Sequence, residues 1–170
     1  MAGFVFGNVG FVGSLGTAPA VVAPAAVYRF ACGLSAAYTD TAGNVWTPLP
    51  DAQPKLRYTG ASAYAGADAQ LYDNVIYSEI TFVVPLPNGT YALSTNLREA
   101  FHNSPSRIQS MRRTGVAALL FDTIDGFQAS RDPISYQAEM LLVVTAGSVS
   151  LDLIANADTP IWQTLIFTKQ

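Results

Sequence analysis

Short apolar runs with a period of two, separated by turn-forming residues, dominate the chain. Between Ser148 and Ile154, for example, Val149, Leu151 and Leu153 alternate with polar residues. A period of two is typical of β-strands that bury one face, and no long helical period lies between these runs. The pattern therefore predicts an all-β fold, an antiparallel β-sandwich in which two packed sheets bury alternate residues.

Two glycine-containing turns predict hairpins within this sandwich. Asn88-Gly89 follows the β-branched and aromatic stretch 75–84, and Asn-Gly between two strands is a strong hairpin signal. Ala146-Gly147 lies between the stretches 139–145 and 148–154 in the same way. We therefore expect each turn to join two strands that pair with each other.

The rest of the pattern predicts one more strand and two long loops. Residues Ile161 to Thr168 read as the closing strand. The connections Arg98 to Arg113 and Asp125 to Gln137 have no clear period. Because binding residues are often carried by loops on a rigid scaffold, we expect binding surfaces there.

The first 26 residues differ from the rest of the chain. They carry no charge, they contain glycine at every third position from 7 to 16, and Pro19 and Pro24 disfavour a helix. A membrane-spanning helix needs about 20 mainly apolar residues without such interruptions, so we expect no membrane span. We predict an extended apolar arm over residues 1–26, followed by the sandwich domain over 27–170. The arm is expected to contact neighbouring protein subunits, and folding back onto its own domain is the alternative.

The composition narrows the possible partners. The net charge is −3 and only 12% of the residues are charged, with the basic residues scattered. Nucleic-acid binding needs a clustered basic surface, so we expect none. The sparse charge is compatible with burial against other subunits or with a surface rich in neutral polar groups. Cys32 is the single cysteine, which excludes an internal disulfide, and we expect it to pack as a small apolar residue.

The sequence carries no catalytic pattern that we would assign, and we expect no enzyme, no cofactor and no metal. His102 is the only histidine, whereas most imidazole metal sites need more than one. A serine triad would need His102 and a nucleophile elbow, and no G-x-S-x-G is present. Asp122 and Asp125 form a possible carboxylate pair for glycoside hydrolysis, although aspartates near turns are usually solvated or capping.

Five segments, taken together in their order and spacing, carry a resemblance to a known family: Phe30-Ala31-Cys32-Gly33, Asp40 to Trp46, Leu71 to Tyr77, Gly89-Thr90-Tyr91 leading to Leu97-Arg98-Glu99, and Phe121 to Ile124. They resemble malectin and the malectin-like carbohydrate-binding domains. The corresponding family segments read N-A-G-G, an aspartate-glycine-hydrophobic turn, L-Y-Q-T-E-R-Y, G-x-Y-x-V running to F-A-E, and F-D-I. The resemblance covers residues 27 to 168 and implies a β-sandwich of the jelly-roll type.

The resemblance also implies a carbohydrate site on loops at one edge of the sandwich. There, aromatic rings stack on sugar faces while an acidic side chain fixes the hydroxyl groups. Carried over residue by residue, the site consists of Tyr64, Tyr77, Phe101, His102 and Asp158. The chain departs from the family at the aromatic pair, because Phe101 lacks a tyrosine hydroxyl and His102 replaces a second aromatic hydrocarbon ring.

Each of these residues also has an ordinary structural interpretation. Tyr64 reads as a loop tyrosine, Tyr77 as a core residue, and Phe101 as a buried anchor of its loop. His102 reads as an ordinary loop residue, and Asp158 as the start of an Asx-turn before Pro160.

Three functions are compatible with the sequence. The first is a non-enzymatic structural subunit of a larger assembly, most concretely a phage virion protein such as a capsid decoration or a tail or fibre component. In this reading it would display the domain at the virion surface to an oligosaccharide or cell-surface glycan. The second is a stand-alone carbohydrate-binding module or lectin, secreted or attached to a cell surface. The third is a fragment of a glycan-active enzyme. The uncharged apolar arm, which would serve as an anchor, favours the first.

Overall fold

The computed structural model describes residues 24–49, 52–102 and 104–170, so the predicted arm lies outside the described residues except for 24–26. The described residues form fourteen strands, a five-residue helix α1 (Ala69–Asp73) and a 3₁₀ turn (Gly60–Ser62). The strands are β1 (Val27–Ala31), β2 (Tyr38–Thr39), β3 (Val45–Pro48), β4 (Lys55–Arg57), β5 (Asn74–Tyr77), β6 (Ile80–Pro85), β7 (Gly89–Leu97), β8 (Ile108–Arg113), β9 (Leu119–Ile124), β10 (Ile134–Gln137), β11 (Leu142–Val144), β12 (Ser148–Ala157), β13 (Ile161–Trp162) and β14 (Thr164–Lys169). The prediction of an all-β sandwich is confirmed.

The strands form three sheets. The largest has the order β10-β7-β14-β1-β3-β2, with β11 also on β7, and the second has the order β6-β12-β8-β9. A small third sheet has the strand order β13-β5-β4. The pairings are antiparallel except that of β1 with β3, in which Phe30 lies opposite Thr47 in a parallel ladder.

The core lies between the two larger sheets. Leu93 and Phe167 from the first sheet share one buried cluster with Met111 and Leu151 from the second. Along the first part of β12 the predicted alternation holds, because Val149, Leu151 and Leu153 are buried while the polar residues between them are partly exposed. Cys32 is fully buried in the same cluster, as expected, and its burial raises the pKa of the thiol.

The two predicted hairpins are wrong, because both turns cross from one sheet to the other. The strands β6 and β7 flank Asn88-Gly89 and lie in different sheets, as do β11 and β12 around Ala146-Gly147. Leu86 turns into the core between the sheets and is almost fully buried, which carries the chain across. The turns then bind each other, since Gly147 N donates to the Asn88 side chain at 2.8 Å and Leu86 N donates to Gly147 O at 3.0 Å.

Two predicted strands are interrupted, and both interruptions position the site described below. The stretch 75–84 breaks at Ser78 and Glu79, where the chain passes from the small sheet to β6. The predicted closing strand breaks at Gln163, between β13 and β14. The buried Gln163 amide pairs with the backbone of Arg98, accepting from its N–H at 3.2 Å and donating to its carbonyl at 2.7 Å. The start of the loop after β7 is fixed in this way.

The beginning and the end of the domain pair with each other at one end of the large sheet. Val27 in β1 lies opposite Thr168 in β14, and Lys169 N donates to Ala26 O at 2.9 Å. This is the Gly89 end of β7, because Lys169 lies opposite Tyr91. The loop that begins at Arg98 leaves from the other end of β7.

Candidate functional site

A cleft of about 250 Å³ opens at the Leu97 end of the sandwich, where the loop after β7 meets the small sheet and the turn between β12 and β13. Its lining combines apolar and ring groups with a compact set of charged and hydroxyl groups. The lining residues are Leu56, Tyr58, Tyr77, Phe101, His102, Arg107, Asp158 and Thr159.

A buried carboxylate, that of Glu99, holds the loop that carries two of these side chains. Glu99 is 1% exposed. Its Oε1 accepts from the backbone N–H groups of Phe101 at 2.5 Å and His102 at 3.1 Å. Its Oε2 lies 2.8 Å from Arg107 Nε, although the N–H direction does not make this ion pair a well-aligned hydrogen bond. Because a buried carboxylate fixes both backbone groups, the loop presents its side chains in one orientation.

Glu99 itself depends on a close approach of another chain segment. Its N–H donates to Gly126 O at 2.8 Å. A Cβ at residue 126 would lie 2.9 Å from Glu99 N, so a larger residue there would push the two segments apart. The second long connection, which contains Gly126, therefore supports the first one from behind.

Phe101 lies at the mouth of the cleft and is 67% exposed. Its ring makes an edge contact with the His102 ring, with the centroids 6.0 Å apart. The interpretation of Phe101 as a buried anchor is therefore wrong. An aromatic ring that is held by its backbone and open to water on much of its surface is suited to contact a ligand face.

His102 and Asp158 form an ion pair or a hydrogen bond across the cleft. His102 Nε2 lies 2.8 Å from Asp158 Oδ2 and 3.2 Å from Arg107 Nη2. One ring nitrogen cannot donate to the carboxylate and accept from the guanidinium at the same time. The shorter contact and the carboxylate's negative charge place the proton on Nε2, which donates to Asp158.

The Asx-turn interpretation of Asp158 is wrong, because the residue two positions further on is Pro160, which has no N–H to donate. Asp158 instead binds the backbone of its immediate neighbour. Thr159 N donates to Asp158 Oδ1 at 2.6 Å, and Asp158 has a left-handed backbone with a φ of 59°. This hydrogen bond, together with the positive charge of Arg107 and the contact with His102, outweighs burial and holds the pKa of Asp158 below its ordinary value. The carboxylate is therefore ionised at neutral pH and its side chain is partly open to solvent.

Two tyrosines of the small sheet and its neighbouring segment form the inner wall. Tyr58 is 3% exposed, and its hydroxyl has no hydrogen-bond partner among the described residues. Burial, followed by the negative charge of Glu99, raises the pKa of Tyr58. Tyr77 ends β5, where it lies opposite Ile161, and it packs against the buried cluster that contains Tyr58. Tyr77 thus belongs partly to the core and partly to the cleft.

Four of the five residues that the resemblance singles out line this cleft, namely Tyr77, Phe101, His102 and Asp158. Tyr64 does not line it. The Tyr64 ring instead makes an edge contact with Tyr72 at 5.4 Å and lies 5.1 Å from the Arg98 guanidinium carbon. It is half-buried in a polar corner beside the 3₁₀ turn.

Four lining residues have no counterpart in the sequence-based site: Leu56, Tyr58, Arg107 and Thr159. Arg107 lies in the long connection where we expected a binding surface, and Thr159 is adjacent to Asp158 in the chain. Leu56 and Tyr58 reach the cleft only because β4 pairs with β5. The local sequence does not predict this pairing.

The carboxylate pair considered for hydrolysis lies outside the cleft lining. Asp125 Oδ1 accepts from Phe127 N at 2.9 Å, which is a turn-forming contact, and Asp122 is exposed on β9. Burial raises the pKa of Asp125. No group of three or more potential metal ligands occurs in the described part of the chain, and no helix there is long and apolar enough to cross a membrane.

Comparison with known proteins identifies the fold through solved structures. No family model matches the sequence, and no curated protein matches it. The ectodomain of ANX2 from Arabidopsis thaliana matches with a TM-score of 0.64 at 10% identity, covering 85% of this chain and 42% of that one. The plant receptor-like kinase FER matches with a TM-score of 0.62 at 13% identity, with the same two coverages.

A bacterial enzyme contains a similar region. The Bacteroides uniformis β-glucuronidase matches with a TM-score of 0.63 at 10% identity, covering 85% of this chain and 18% of that one. The chain thus spans less than half the length of these proteins, and at such identities the likeness concerns the fold alone. Together with the topology described above, these matches show that the chain has a malectin-like β-sandwich fold.

Proposed function

We propose that this domain binds a carbohydrate in the cleft at the Leu97 end of the sandwich, and that it does so without catalysis. The observation that carries the proposal is the exposed Phe101 ring, held by Glu99 beside the ionised Asp158. Sugar binding needs a flat apolar surface next to groups that accept hydrogen bonds from hydroxyls, and the cleft has both.

The unpaired Tyr58 hydroxyl supports a polar ligand. A buried hydroxyl without a partner is unfavourable, and each such group in a folded protein calls for an explanation. A ligand hydroxyl in the cleft would supply the missing partner. Tyr77 and Leu56 would then cover the apolar faces of the same ligand.

Gluco-oligosaccharides titrated against the protein by calorimetry test this function, with Phe101→Ala and Asp158→Ala as variants. Loss of the stacking ring is expected to cost about 1 kcal/mol or more of binding free energy, the scale of a specific aromatic contact. Tyr28→Ala, on β1 towards the Gly89 end of the large sheet, serves as an aromatic control away from the cleft. Equal binding by wild type and both cleft variants contradicts the assignment.

For the larger context, we propose a structural subunit of an assembly, such as a phage virion protein that displays this domain at the virion surface. The low content of charged residues and the uncharged apolar segment 1–26 support a role in subunit contacts. The alternative is a stand-alone carbohydrate-binding module, extracellular or at a cell surface.

Sedimentation of the full chain and of a chain that begins at Val27 separates these two contexts. An assembly subunit is expected to lose its higher-order species on truncation while the melting of the sandwich stays nearly the same. Identical sedimentation of both forms contradicts an anchoring arm, and failure of the shorter chain to fold makes the arm part of the core.

A further inference from the structure

One side of the sandwich is open between the last strands of the two larger sheets. β9 ends the second sheet and β10 ends the first, and no strand within the described ranges pairs with the outer edge of either. A groove of about 200 Å³ lies between them, and its lining includes Leu119 and Phe121 from β9 and Tyr136 from β10. We infer that this open side is the docking site for the apolar segment 4–15 of a second copy of the chain. This inference rests on the proposed role as an assembly subunit.

Contacts between the sheets hold both ends of the groove. At one end the Tyr136 hydroxyl donates to Asp125 O, and at the other the Arg113 guanidinium donates to Val143 O at 3.2 Å. The groove is therefore a fixed feature of the folded domain. Its volume is below the roughly 300–1,000 Å³ of typical small-molecule sites, so it suits the side chains of an added segment better than a separate small molecule.

Of the two edge strands, β10 is the better one for a further strand to join. The register of β9 against β8 shifts twice, and Thr123 in β9 has a left-handed backbone with a φ of 47°. Such irregularities are typical of edges that are protected against pairing. β10 pairs regularly with β7 over Ile134 to Gln137, and its outer edge presents backbone donors and acceptors to a further strand.

Exposed apolar side chains are concentrated beside this edge. Met140, Leu141 and Val143 follow β10 in the chain, and all three are exposed. Val116 is also exposed and lies in the turn after β8, where its N–H donates to the carbonyl of Arg113, the residue that contacts Val143. Clustered exposed apolar side chains mark an interaction surface, whereas single ones are ordinary.

Segment 4–15 has a pattern that matches such an edge. Alternate side chains of an extended strand share one face. On one face of this segment every residue is apolar or glycine: Val5, Gly7, Val9, Phe11, Gly13 and Leu15. The segment is also uncharged, whereas the exposed carboxylates Asp122 and Glu139 line the groove and disfavour an acidic occupant.

The distance from β1 to the groove favours a second copy over the same chain. Three strand spacings separate β1 from β10 in the large sheet, which is about 14 Å at ~4.8 Å each. Pro19 and Pro24 favour an extended connection before β1. Residues 16–23 would then span about 25 Å at ~3.1 Å each. An extended connection of that length carries segment 4–15 past its own groove and within reach of another copy.

Disulfide trapping between full chains tests the contact. Chains with Phe11→Cys are mixed with chains with Glu139→Cys and oxidised with air and copper phenanthroline. The native Cys32 is fully buried, so it does not compete. A disulfide-linked dimer is expected from this mixture and not when Val83→Cys replaces Glu139→Cys. Val83 is the matched control because it is exposed on β6, at the other edge of the second sheet.

Sedimentation of full-length variants provides a second measurement. Leu141→Asp is expected to weaken association about tenfold or more, because docking would bury an unpaired charge, while Val83→Asp leaves association unchanged. Both side chains are exposed, and a thermal melt of each variant checks that the fold is retained.

Three outcomes overturn the inference. Association that is lost on truncation to Val27 but is insensitive to Leu141→Asp places the arm on another surface, and the proposed assembly role stands. A disulfide that forms only within one chain carrying both Phe11→Cys and Glu139→Cys places the arm on its own domain. A full chain that sediments as a monomer at every concentration overturns both the docking site and the assembly role.

Discussion

Two side-chain pairs, whose basic members Arg98 and His102 are close in the chain, illustrate two different uses of charge. Arg98 Nη1 pairs with Asp73 Oδ1 at 3.0 Å, with side-chain exposures of 3% and 7%. His102 pairs with Asp158 at 2.8 Å, with exposures of 31% and 39%. The first pair is closed off by protein, whereas the second lies at the wall of an open cleft.

The buried pair has its hydrogen-bonding capacity used by the protein itself. Arg98 also donates to Arg131 O at 2.7 Å and to Ser62 O at 2.9 Å, and its guanidinium lies over the Tyr64 ring. Asp73 Oδ1 additionally accepts from Tyr64 N at 2.8 Å. This pair ties three loops together.

The open pair leaves capacity for a ligand. One Asp158 oxygen accepts from Thr159 N and the other contacts His102, and the side chain remains 39% exposed at the cleft wall. The comparison indicates that satisfied, buried charge organises the loops, and that exposed charge at the same end of the sandwich is available for recognition. The predictions below separate these two roles.

The largest expected effect is on the buried pair. Arg98→Met leaves the Asp73 carboxylate buried without its cation, so unfolding free energy is expected to fall by about 3–5 kcal/mol. Urea denaturation followed by tryptophan fluorescence measures this loss. Arg113→Met, whose guanidinium makes an exposed hydrogen bond to Val143 O, is the control and is expected to change stability by about 0.5 kcal/mol or less. Similar losses in both variants would falsify the structural role of Arg98.

Glu99→Gln tests whether the buried Glu99 carboxylate is needed to orient the loop that carries Phe101 and His102 at the cleft. The amide places an N–H donor against the Arg107 guanidinium and weakens the acceptor for the Phe101 and His102 backbone. A loss of about 1.5–3 kcal/mol in stability is expected, the scale of a hydrogen bond to a charged group. Sugar affinity is expected to fall as well, because the loop loses its fixed orientation. Full affinity at reduced stability would show that the cleft does not depend on Glu99.

Tyr64→Leu tests whether Tyr64 binds the sugar, as the family pattern implies, or only stabilises the fold. The ring contacts Arg98 and Tyr72, so its removal is expected to destabilise the fold by about 1–2 kcal/mol. Sugar affinity is expected to stay unchanged, since Tyr64 does not line the cleft. Calorimetric titration beside a thermal melt checks both expectations. A variant that folds normally but binds sugar more weakly would return Tyr64 to the site.

The smallest effect concerns pH and the open pair. The pKa of Asp158 lies below its ordinary value in the folded state, chiefly because of the Thr159 N–H. Its stabilising contribution is therefore fully present above the unfolded pKa of about 3.9 and is lost as the pH falls through the folded value. For so exposed a pair the contribution is about 1 kcal/mol or less.

Thermal melts of wild type and Asp158→Asn at pH 7, 5 and 3 check this expectation. The wild type is expected to be slightly more stable at pH 7 and 5, and the difference should shrink at pH 3. A difference that grows toward acid pH contradicts the direction of the Asp158 shift.

The strands and the core could be predicted because a strand that buries one face has apolar residues at alternate positions in the sequence, as Val149, Leu151 and Leu153 show. The path between sheets could not be predicted. An Asn-Gly or Ala-Gly turn specifies how sharply the chain bends, whereas the burial of Leu86 decides which sheet the next strand joins. The same turn sequence can therefore join two paired strands or connect strands of different sheets.

The candidate site divides in a similar way. The resemblance singles out Tyr77, Phe101, His102 and Asp158, and the fold brings all four to one cleft because the end of β5, the loop after β7 and the turn after β12 meet there. Tyr64 lies outside the cleft lining for a chemical reason. Where the family pattern has alanine in F-A-E, this chain has Arg98, and the guanidinium lies over the Tyr64 ring. The sequence shows that Arg98 replaces the alanine, but it does not show that Arg98 contacts Tyr64.

The pairing of the first and last strands at the end away from the cleft has a mechanical consequence. About 27 Å of strand β7 separates Gly89 from Leu97, at ~3.4 Å per residue. A pull between a ligand in the cleft and a tether at Ala26 would act along β1 and β14. Their five residue pairs, Val27 to Ala31 against Thr168 to Thr164, would be loaded in shear together rather than peeled apart one by one. A pull along the strands would therefore have to break these pairs at the same time.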